Sequence, residues 1–244
     1  MSQSLFFHSD LSNSSIVLPE EESKHLVRVL RKQKGDLIQL IDGKGHMAIA
    51  RIEEDHPKKT QLLLIEIQEK VRSRNYHIEL AIAPTKNMDR IEWMLEKCCE
   101  IGLDAIHFIH CDNSERSKIN QERLEKICIS AIKQSKQFHL PEIHALIDFK
   151  SFISKYKSGD MSKYIAWCES EQSSFLAQDL AKNSPERILF LIGPEGDFSP
   201  AEIQLAKTNG FKDVSLGKNI LRTETAGLFV CSLAAGFAKS NSHY

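Results

Sequence analysis

The chain has 244 residues, of which 41% are hydrophobic and 27% are charged, as in ordinary globular proteins of one or two domains. Its formal net charge of −1 excludes a uniformly basic surface, so a nucleic-acid partner would have to bind a local basic patch. No apolar run approaches the roughly 20 residues of a membrane helix, and the N-terminal segment MSQSLFFHSD lacks the pattern of a signal peptide. These features predict a cytoplasmic protein without a membrane partner.

Residues 1 to about 70 are predicted to form a small β-rich unit. Short apolar-rich runs at 37–41 and 47–52 flank Asp42-Gly-Lys-Gly45, a sequence typical of a β-hairpin because glycine accepts positive φ. A further strand is expected over 61–67, and one short helix over 21–31. The polar segment 71–75 has no periodicity and is interpreted as a linker.

From Tyr76 onward, strands and helices alternate along the chain. Strands are predicted at 77–83, 105–109, 164–167, 187–192 and 213–216. Helices are predicted over 88–101, 121–134, 175–181 and 225–238, with a further one beginning at the capping box Ser199-Pro-Ala-Glu202. This alternation favours a parallel sheet covered by helices on both faces.

The six cysteines include no Cys-x-x-Cys pair, and most lie in apolar stretches. This pattern favours buried, reduced thiols over disulfides or zinc ligands. The segment His107-Phe-Ile-His-Cys111 resembles a metal motif, but residues three apart in a strand point to opposite faces. No metal site is predicted.

Two predicted strands end in unusual loops. The segment from Leu189 to Gly196 is a predicted strand that runs into a turn with two glycines. The segment from Val214 to Ala226 is a predicted strand followed by a polar loop that enters a helix rich in small residues. Ligands of open α/β sheets bind beyond the carboxyl ends of the strands, so the loops could wall one pocket. The alternative is that the glycines only form a turn and that Thr223 only caps a helix.

The dinucleotide motif G-x-G-x-x-G does not follow the first strand of this region, and the P-loop motif G-x-x-x-x-G-K-[ST] does not occur, which disfavours hydride and phosphoryl transfer.

The motifs Ile192-Gly-Pro-Glu-Gly196, Leu216-Gly217 and Ile220-Leu-Arg-Thr-Glu-Thr-Ala226 strongly resemble the ribosomal RNA small-subunit methyltransferase E family. Further matches, in the same order as in the family, lie at 25–31, 86–102, 113–117, 134–135 and 141. Two positions depart from the family pattern. Family members usually have a second glycine at the position of Asp197 and often have an arginine at the position of Gln137. If that arginine contacts RNA in the family, Lys133 or Lys136 would have to supply the contact here.

The resemblance implies a SPOUT-type α/β domain at 73–244, with a parallel sheet and a C-terminal trefoil knot. A small PUA-like β-barrel at 1–72 would precede it and bind RNA. The implied activity is S-adenosylmethionine-dependent methylation of N3 of a uridine in small-subunit (16S) ribosomal RNA. The implied partners are that RNA, or the assembled small subunit, and a second copy in a homodimer. The alternatives are a SPOUT enzyme acting on another RNA site and a catalytically inactive RNA-binding relative.

The resemblance also assigns roles within the two loops. Arg222 is the candidate for stabilising negative charge on the uracil, and Glu224 is either a base or, as we rank higher, an ion-pair partner that fixes Arg222. Arg116 is either an RNA or active-site contact or a solvated arginine. The candidates for cofactor binding, mainly through backbone groups, are Gly193, Glu195, Gly196, Leu216, Gly217 and Leu221.

The RNA-binding candidates lie outside these loops. Lys24, Arg28 and Arg31 would share one face of the predicted helix at 21–31, a stripe that suits an RNA backbone almost as well as it suits solvent. Lys133 and Lys136 are the other candidates.

Overall fold

The computed structural model describes residues 4–70, 74, 76–156, 160–168 and 174–237. The chain forms two compact units, one made of Met1–Arg72 and Ile129–Leu140, the other of Ser73–Cys128 and Pro141–Tyr244. Of the predicted linker at 71–75, only Arg74 lies within the described residues. None of the described helices is long and apolar enough to cross a bilayer.

The first unit contains a five-stranded sheet with the order β1-β3-β4-β5-β2. Its strands are β1 (Leu5–Phe7), β2 (Ser15–Val17), β3 (Leu37–Ile41), β4 (His46–Glu54) and β5 (Gln61–Glu69). The β1–β3 pair is parallel and the other pairs are antiparallel. Register shifts between β4 and β5 help to curl the sheet. Within the described residues no ladder joins the edge strands β1 and β2, so the expected small β-barrel takes the form of a curled half-barrel.

The predicted hairpin is confirmed at the β3–β4 turn. The Asp42 carboxylate accepts hydrogen bonds from the amides of Lys44 (2.7 Å) and His46 (3.0 Å). Gly43 has a φ of 73°, in the left-handed region that glycine adopts most readily. Local turn chemistry therefore fixes the register of these two strands.

The helix of the first unit is shorter than predicted. An α-helix, α1 (Glu20–Lys24), continues as a π-helical turn over His25–Val29. Arg31 lies beyond its end with a φ of 53°. The expectation that Lys24, Arg28 and Arg31 share one α-helical face is therefore wrong, because the π-turn changes the angular spacing and Arg31 is not helical.

The second unit contains a seven-stranded sheet with the order β10-β12-β9-β11-β6-β7-β8. Its strands are β6 (His77–Ile82), β7 (Ala105–His110), β8 (Glu142–Asp148), β9 (Ser162–Ala166), β10 (Ser174–Phe175), β11 (Arg187–Ile192) and β12 (Lys212–Ser215). Every pair is parallel, which confirms the predicted sheet type. The central strand β11 is buried from Ile188 to Ile192, as a strand covered on both faces must be.

Six further helices connect these strands: α2 (Met88–Ile101), α3 (Gln121–Ser135), α4 (Phe149–Lys155), α5 (Leu176–Asn183), α6 (Pro200–Thr208) and α7 (Thr223–Phe237). The capping box predicted at Ser199 is formed, since its side chain accepts the Glu202 amide while the Glu202 carboxylate accepts the Ser199 amide. The left-handed Gly102, with a φ of 108°, ends α2. Strands β8 and β10 and helix α4 were not predicted.

A buried polar cluster lies on β6 and β7. The Glu79 carboxylate is 2.9 Å from His77 Nε2 and 2.8 Å from His107 Nε2, and it accepts the Tyr156 hydroxyl at 3.0 Å. Burial acts to raise the pKa of Glu79, but the hydrogen bonds from His107, His77 and Tyr156 outweigh it and hold that pKa well below its ordinary value. Glu79 is therefore an ionised group within the core at neutral pH, and its contribution to the stability of the protein depends on pH.

Candidate cofactor and active site

Three neighbouring parallel strands, β9, β11 and β12, end at the same edge of the second sheet. The loops that follow them begin at Trp167, Gly193 and Leu216. They surround a cavity of about 440 Å³, which is also lined by the start of α7. The positions of the last two loops at strand ends predict that they wall one pocket, and the structure brings both to it.

Most of the predicted loop residues line this cavity. From the cofactor candidates they are Gly193, Glu195, Leu216, Gly217 and Leu221, and from the catalytic candidates Arg222 and Glu224. The cavity is also lined by Lys218, which lies within the predicted loop at 214–226, and by Asp197, which the sequence marks only as a departure from the family pattern. Arg90, Trp167 and Cys168 line it from other segments, and only the family match over 86–102 pointed toward one of these three, Arg90.

Gly193 connects two walls of the cavity. Its carbonyl accepts a hydrogen bond from the Thr223 hydroxyl at 3.1 Å, which ties the loop after β11 to the first turn of α7. A Cβ at Gly193 would lie 3.2 Å from the Phe198 ring and 3.3 Å from the Phe198 amide nitrogen. Since the backbone there has little room to move, a side chain at Gly193 would displace the cavity wall.

Gly196 does not line the cavity. Its carbonyl accepts a hydrogen bond from Asn113 Nδ2 at 3.0 Å, and a Cβ at Gly196 would lie 3.1 Å from the Asn113 Cβ. Glycine at this position lets two loops pack closely, and contact with a ligand is not needed to explain it.

Arg222 and Glu224 face the cavity from either side of the α7 N-terminus. Arg222 is exposed just before the helix, whereas Glu224 is buried in its first turn. Among the ion pairs of the described residues, none joins these two side chains, although the sequence analysis ranked that pair first. Both groups are therefore available to a ligand in the cavity, and the positive end of the helix dipole favours the Glu224 carboxylate.

Arg116 lies outside this cavity and contacts the loop between β6 and α2. Its Nε donates to the Thr85 carbonyl (3.0 Å) and its Nη2 to the Lys86 carbonyl (2.5 Å). The Lys86 amide in turn donates to Glu195 Oε1 at 3.1 Å. Arg116 thus holds a loop that is bonded to a residue of the cavity wall.

The RNA candidates all lie in the first unit, but they differ in their surroundings. Arg28, Arg31 and Lys136 are exposed. Lys133 forms an ion pair with Glu22, and only 23% of its side chain is exposed. The sequence could not indicate this pairing, because the two residues are 111 positions apart.

Comparison with known protein sequences identifies the family to which this chain belongs. Residues 18–65 match the RNA methyltransferase PUA domain, and residues 72–235 match the RNA methyltransferase domain. The ribosomal RNA small subunit methyltransferase E of Synechocystis sp. is 31% identical over 218 residues, which cover 87% of this chain and 70% of that protein. The chain belongs to the ribosomal RNA small subunit methyltransferase E family. The Bacillus subtilis protein of that name is 28% identical over 224 residues, which cover 87% of this chain and 86% of its own.

Solved structures of similar proteins have the same fold. A probable rRNA methyltransferase from Porphyromonas gingivalis is 38% identical, with a TM-score of 0.87, and the match covers 96% of this chain and 98% of that one. A ribosomal RNA small subunit methyltransferase E from Neisseria gonorrhoeae, bound to S-adenosyl methionine, is 26% identical with a TM-score of 0.84. That match covers 99% of this chain and 100% of the Neisseria chain.

As a member of the methyltransferase E family, this chain departs from the usual glycine at Asp197. Asp197 has a φ of 60°, in the left-handed region where glycine is favoured and aspartate is tolerated. Its carboxylate accepts the amides of Cys168 and Phe198, both at 2.8 Å. The aspartate therefore ties the loop after β9 to the loop after β11, a contact that glycine could not make.

The second departure, Gln137, lies just beyond α3. Its Nε2 donates to the Ser135 hydroxyl at 3.3 Å. The neighbouring Lys136 has a φ of 57° and is exposed.

Proposed function

We propose that this protein transfers a methyl group from S-adenosylmethionine to N3 of a uridine in small-subunit ribosomal RNA. The observation that carries the proposal is the cavity at the carboxyl ends of β9, β11 and β12, lined by the two family motifs. Family membership supports methyl transfer to ribosomal RNA, and the S-adenosyl methionine bound in the related Neisseria structure supports the cofactor. The uridine N3 target follows from the family resemblance.

The residues of the cavity fit the proposed cofactor. A volume of about 440 Å³ lies within the range of pockets that hold ligands of this size. Gly193, Leu216, Gly217 and Leu221 offer backbone amides and carbonyls close to a ligand, and Glu195 offers a carboxylate at the rim. When bound, S-adenosylmethionine would supply an electrophilic methyl group on a sulfonium: a nucleophile would attack the methyl carbon in line, and the sulfur would leave as a neutral thioether. We assign the five residues to cofactor binding and Gly196 to the packing that supports them.

Arg222 and Glu224 are assigned to the uridine. The exposed guanidinium of Arg222 can donate to a uracil oxygen and stabilise the negative charge that develops as the ring loses its proton. The buried Glu224 carboxylate is the group we assign to accept the N3 proton. The lack of an ion pair between them in the described residues supports separate roles for the two side chains.

The remaining assignments come from the resemblance. We propose an RNA-binding PUA-like domain at 1–72, with Arg28 and Arg31 as its phosphate contacts, and a SPOUT domain at 73–244 whose C-terminal part is knotted. We also propose a cytoplasmic homodimer. The exposure of Arg28 and Arg31 supports the RNA contacts.

Methyl transfer can be tested with purified protein, labelled S-adenosylmethionine and either free small-subunit RNA or small subunits, taken from a deletion strain. Digestion of the RNA followed by mass spectrometry of its nucleosides should reveal 3-methyluridine only when active protein is added. Arg222→Ala should reduce the signal, and Arg187→Ala, at the opposite end of β11, serves as the control. Methylation of a different nucleoside would favour another RNA site, and RNA binding without any transfer would favour an inactive relative.

A further inference from the structure

A second cavity, of about 620 Å³, shares part of its lining with the proposed cofactor cavity. Arg90 and Glu195 line both cavities. Lys86, Arg116 and the first residues of α2 complete the lining of the second one. Two ligands bound in the two cavities would therefore meet at Arg90 and Glu195.

The second cavity is lined by three cationic side chains, Lys86, Arg90 and Arg116, and by two carboxylates, Asp89 and Glu195, which leaves a net formal charge of +1. Lys86 Nζ lies 3.2 Å from Glu115, but this pair is weak because the two side chains are 80% and 61% exposed. Arg90 is exposed, and in the described part of the chain none of the ion pairs involves it. The 14-residue helix α2 begins at Met88 and presents the positive end of its dipole to the same space. The cavity therefore suits an anion.

The wall between the two cavities is already ordered. Arg116 donates to the carbonyls of Thr85 and Lys86, and the Lys86 amide donates to Glu195. The loop between β6 and α2 is thus hydrogen-bonded on both sides. The backbone that leads into α2 and Arg90 is therefore held before an anion binds, which lowers the entropic cost of ordering that loop.

We propose that the second cavity binds a backbone phosphate of the RNA substrate beside the target nucleotide, with Arg90 as the contact residue. A guanidinium binds a phosphate through two parallel N–H groups, and its charge strengthens both hydrogen bonds. Because Arg90 also lines the first cavity, a phosphate held there places the adjoining base at the mouth of the cofactor pocket. This assignment rests on the proposed function, and it defines which RNA group positions the uridine.

The test compares Arg90→Ala with Arg187→Ala, a second exposed arginine at the amino end of β11. Binding of a labelled single-stranded RNA that contains the target region is measured over a salt titration, and S-adenosylmethionine affinity is measured by calorimetry. Arg90→Ala should weaken RNA binding on the order of tenfold. The slope of log affinity against log salt should fall by about 0.7, the value for one phosphate contact on a single strand. Arg187→Ala should match the wild type, and Arg90→Lys should recover part of the loss.

Each outcome decides the proposal. Wild-type RNA affinity and salt slope in Arg90→Ala would overturn the phosphate site, even if the wild-type protein methylates RNA. Loss of cofactor affinity with an unchanged salt slope would also overturn it, since Arg90 would then serve only the first cavity. If the wild type binds RNA but transfers no methyl group, the proposed function fails while the slope comparison still judges the phosphate site. Failure of the wild type to bind either the free RNA or small subunits from a deletion strain would overturn both.

Discussion

The ion pair between Arg74 and Asp104 should be one of the interactions on which the stability of the second unit depends. Arg74 donates from Nη1 and Nη2 to the two carboxylate oxygens, both at 2.9 Å, and the Asp104 side chain is only 1% exposed. Arg74→Ala would leave this carboxylate with the Ile78 amide at 2.8 Å and with His77 Nδ1 at 3.7 Å. A buried carboxylate that loses its strongest partner is costly because water cannot replace the lost hydrogen bonds.

The size of the effect follows from burial. Removing one partner of a buried pair costs roughly 3–5 kcal/mol of unfolding free energy. Because Asp104 keeps some of its contacts, we expect a loss of about 3 kcal/mol for Arg74→Ala. For a protein of this length that corresponds to a decrease in Tm of about 6–12 °C. The matched control is Arg123→Ala. Arg123 also bonds both oxygens of one carboxylate, Glu92, but the Arg123 side chain is 62% exposed and the Glu92 side chain 14% exposed. Because water reaches this pair more easily than the pair of Arg74, Arg123→Ala should lower the Tm by clearly less.

Thermal melts followed by circular dichroism, together with urea unfolding at neutral pH, measure both variants. Arg74→Lys should recover only part of the stability, because an ammonium cannot make two parallel hydrogen bonds to the carboxylate. Equal melting temperatures for Arg74→Ala and Arg123→Ala would refute the reasoning, since burial would then not determine the cost.

Three further predictions concern the site and the core. Arg222→Ala should lower the single-turnover methylation rate on the order of a hundredfold without changing the Tm, and a near-normal rate in the folded variant would remove Arg222 from the catalytic assignment. Gly193→Val should abolish S-adenosylmethionine binding measured by calorimetry, whereas Gly236→Val, where an added Cβ meets nothing within 4 Å, should retain it. Retained binding in both would contradict the cavity assignment. Because the folded-state pKa of Glu79 is lowered, its stabilising effect is complete above the unfolded-state pKa and is lost as the pH falls below about 4.3. The difference in unfolding free energy between wild type and Glu79→Gln should therefore shrink at acidic pH, and a pH-independent difference would contradict it.

Most of the second sheet could be predicted from local sequence signals. The apolar run of β11, the capping box at Ser199 and the left-handed Gly102 act within a few residues, so they could be recognised in the sequence. Strand β8 was missed because it lies at the edge of the sheet and is partly exposed, so its residues show no regular alternation. The seven-residue helix α4 is too short to show a clear helical period.

The candidate site could be predicted only in part. The two motif loops and their shared cavity were expected from their positions at strand ends. The second cavity was not expected, because Arg116 and Lys86 are 30 residues apart and the strand order brings them together. Asp197 was recognised only as a departure from the family, since its hydrogen bond to the Cys168 amide spans 29 residues.

The sequence by itself determined most of the elements, the parallel type of the sheet and the family, because these depend on neighbouring residues and on motifs whose order along the chain is enough. The tertiary structure decided which charged groups are available. Lys133 is paired with Glu22, Arg116 holds a loop, and Arg90 is left to face two cavities. These outcomes depend on contacts between distant segments, whose free energies are set by burial and geometry that no local pattern encodes.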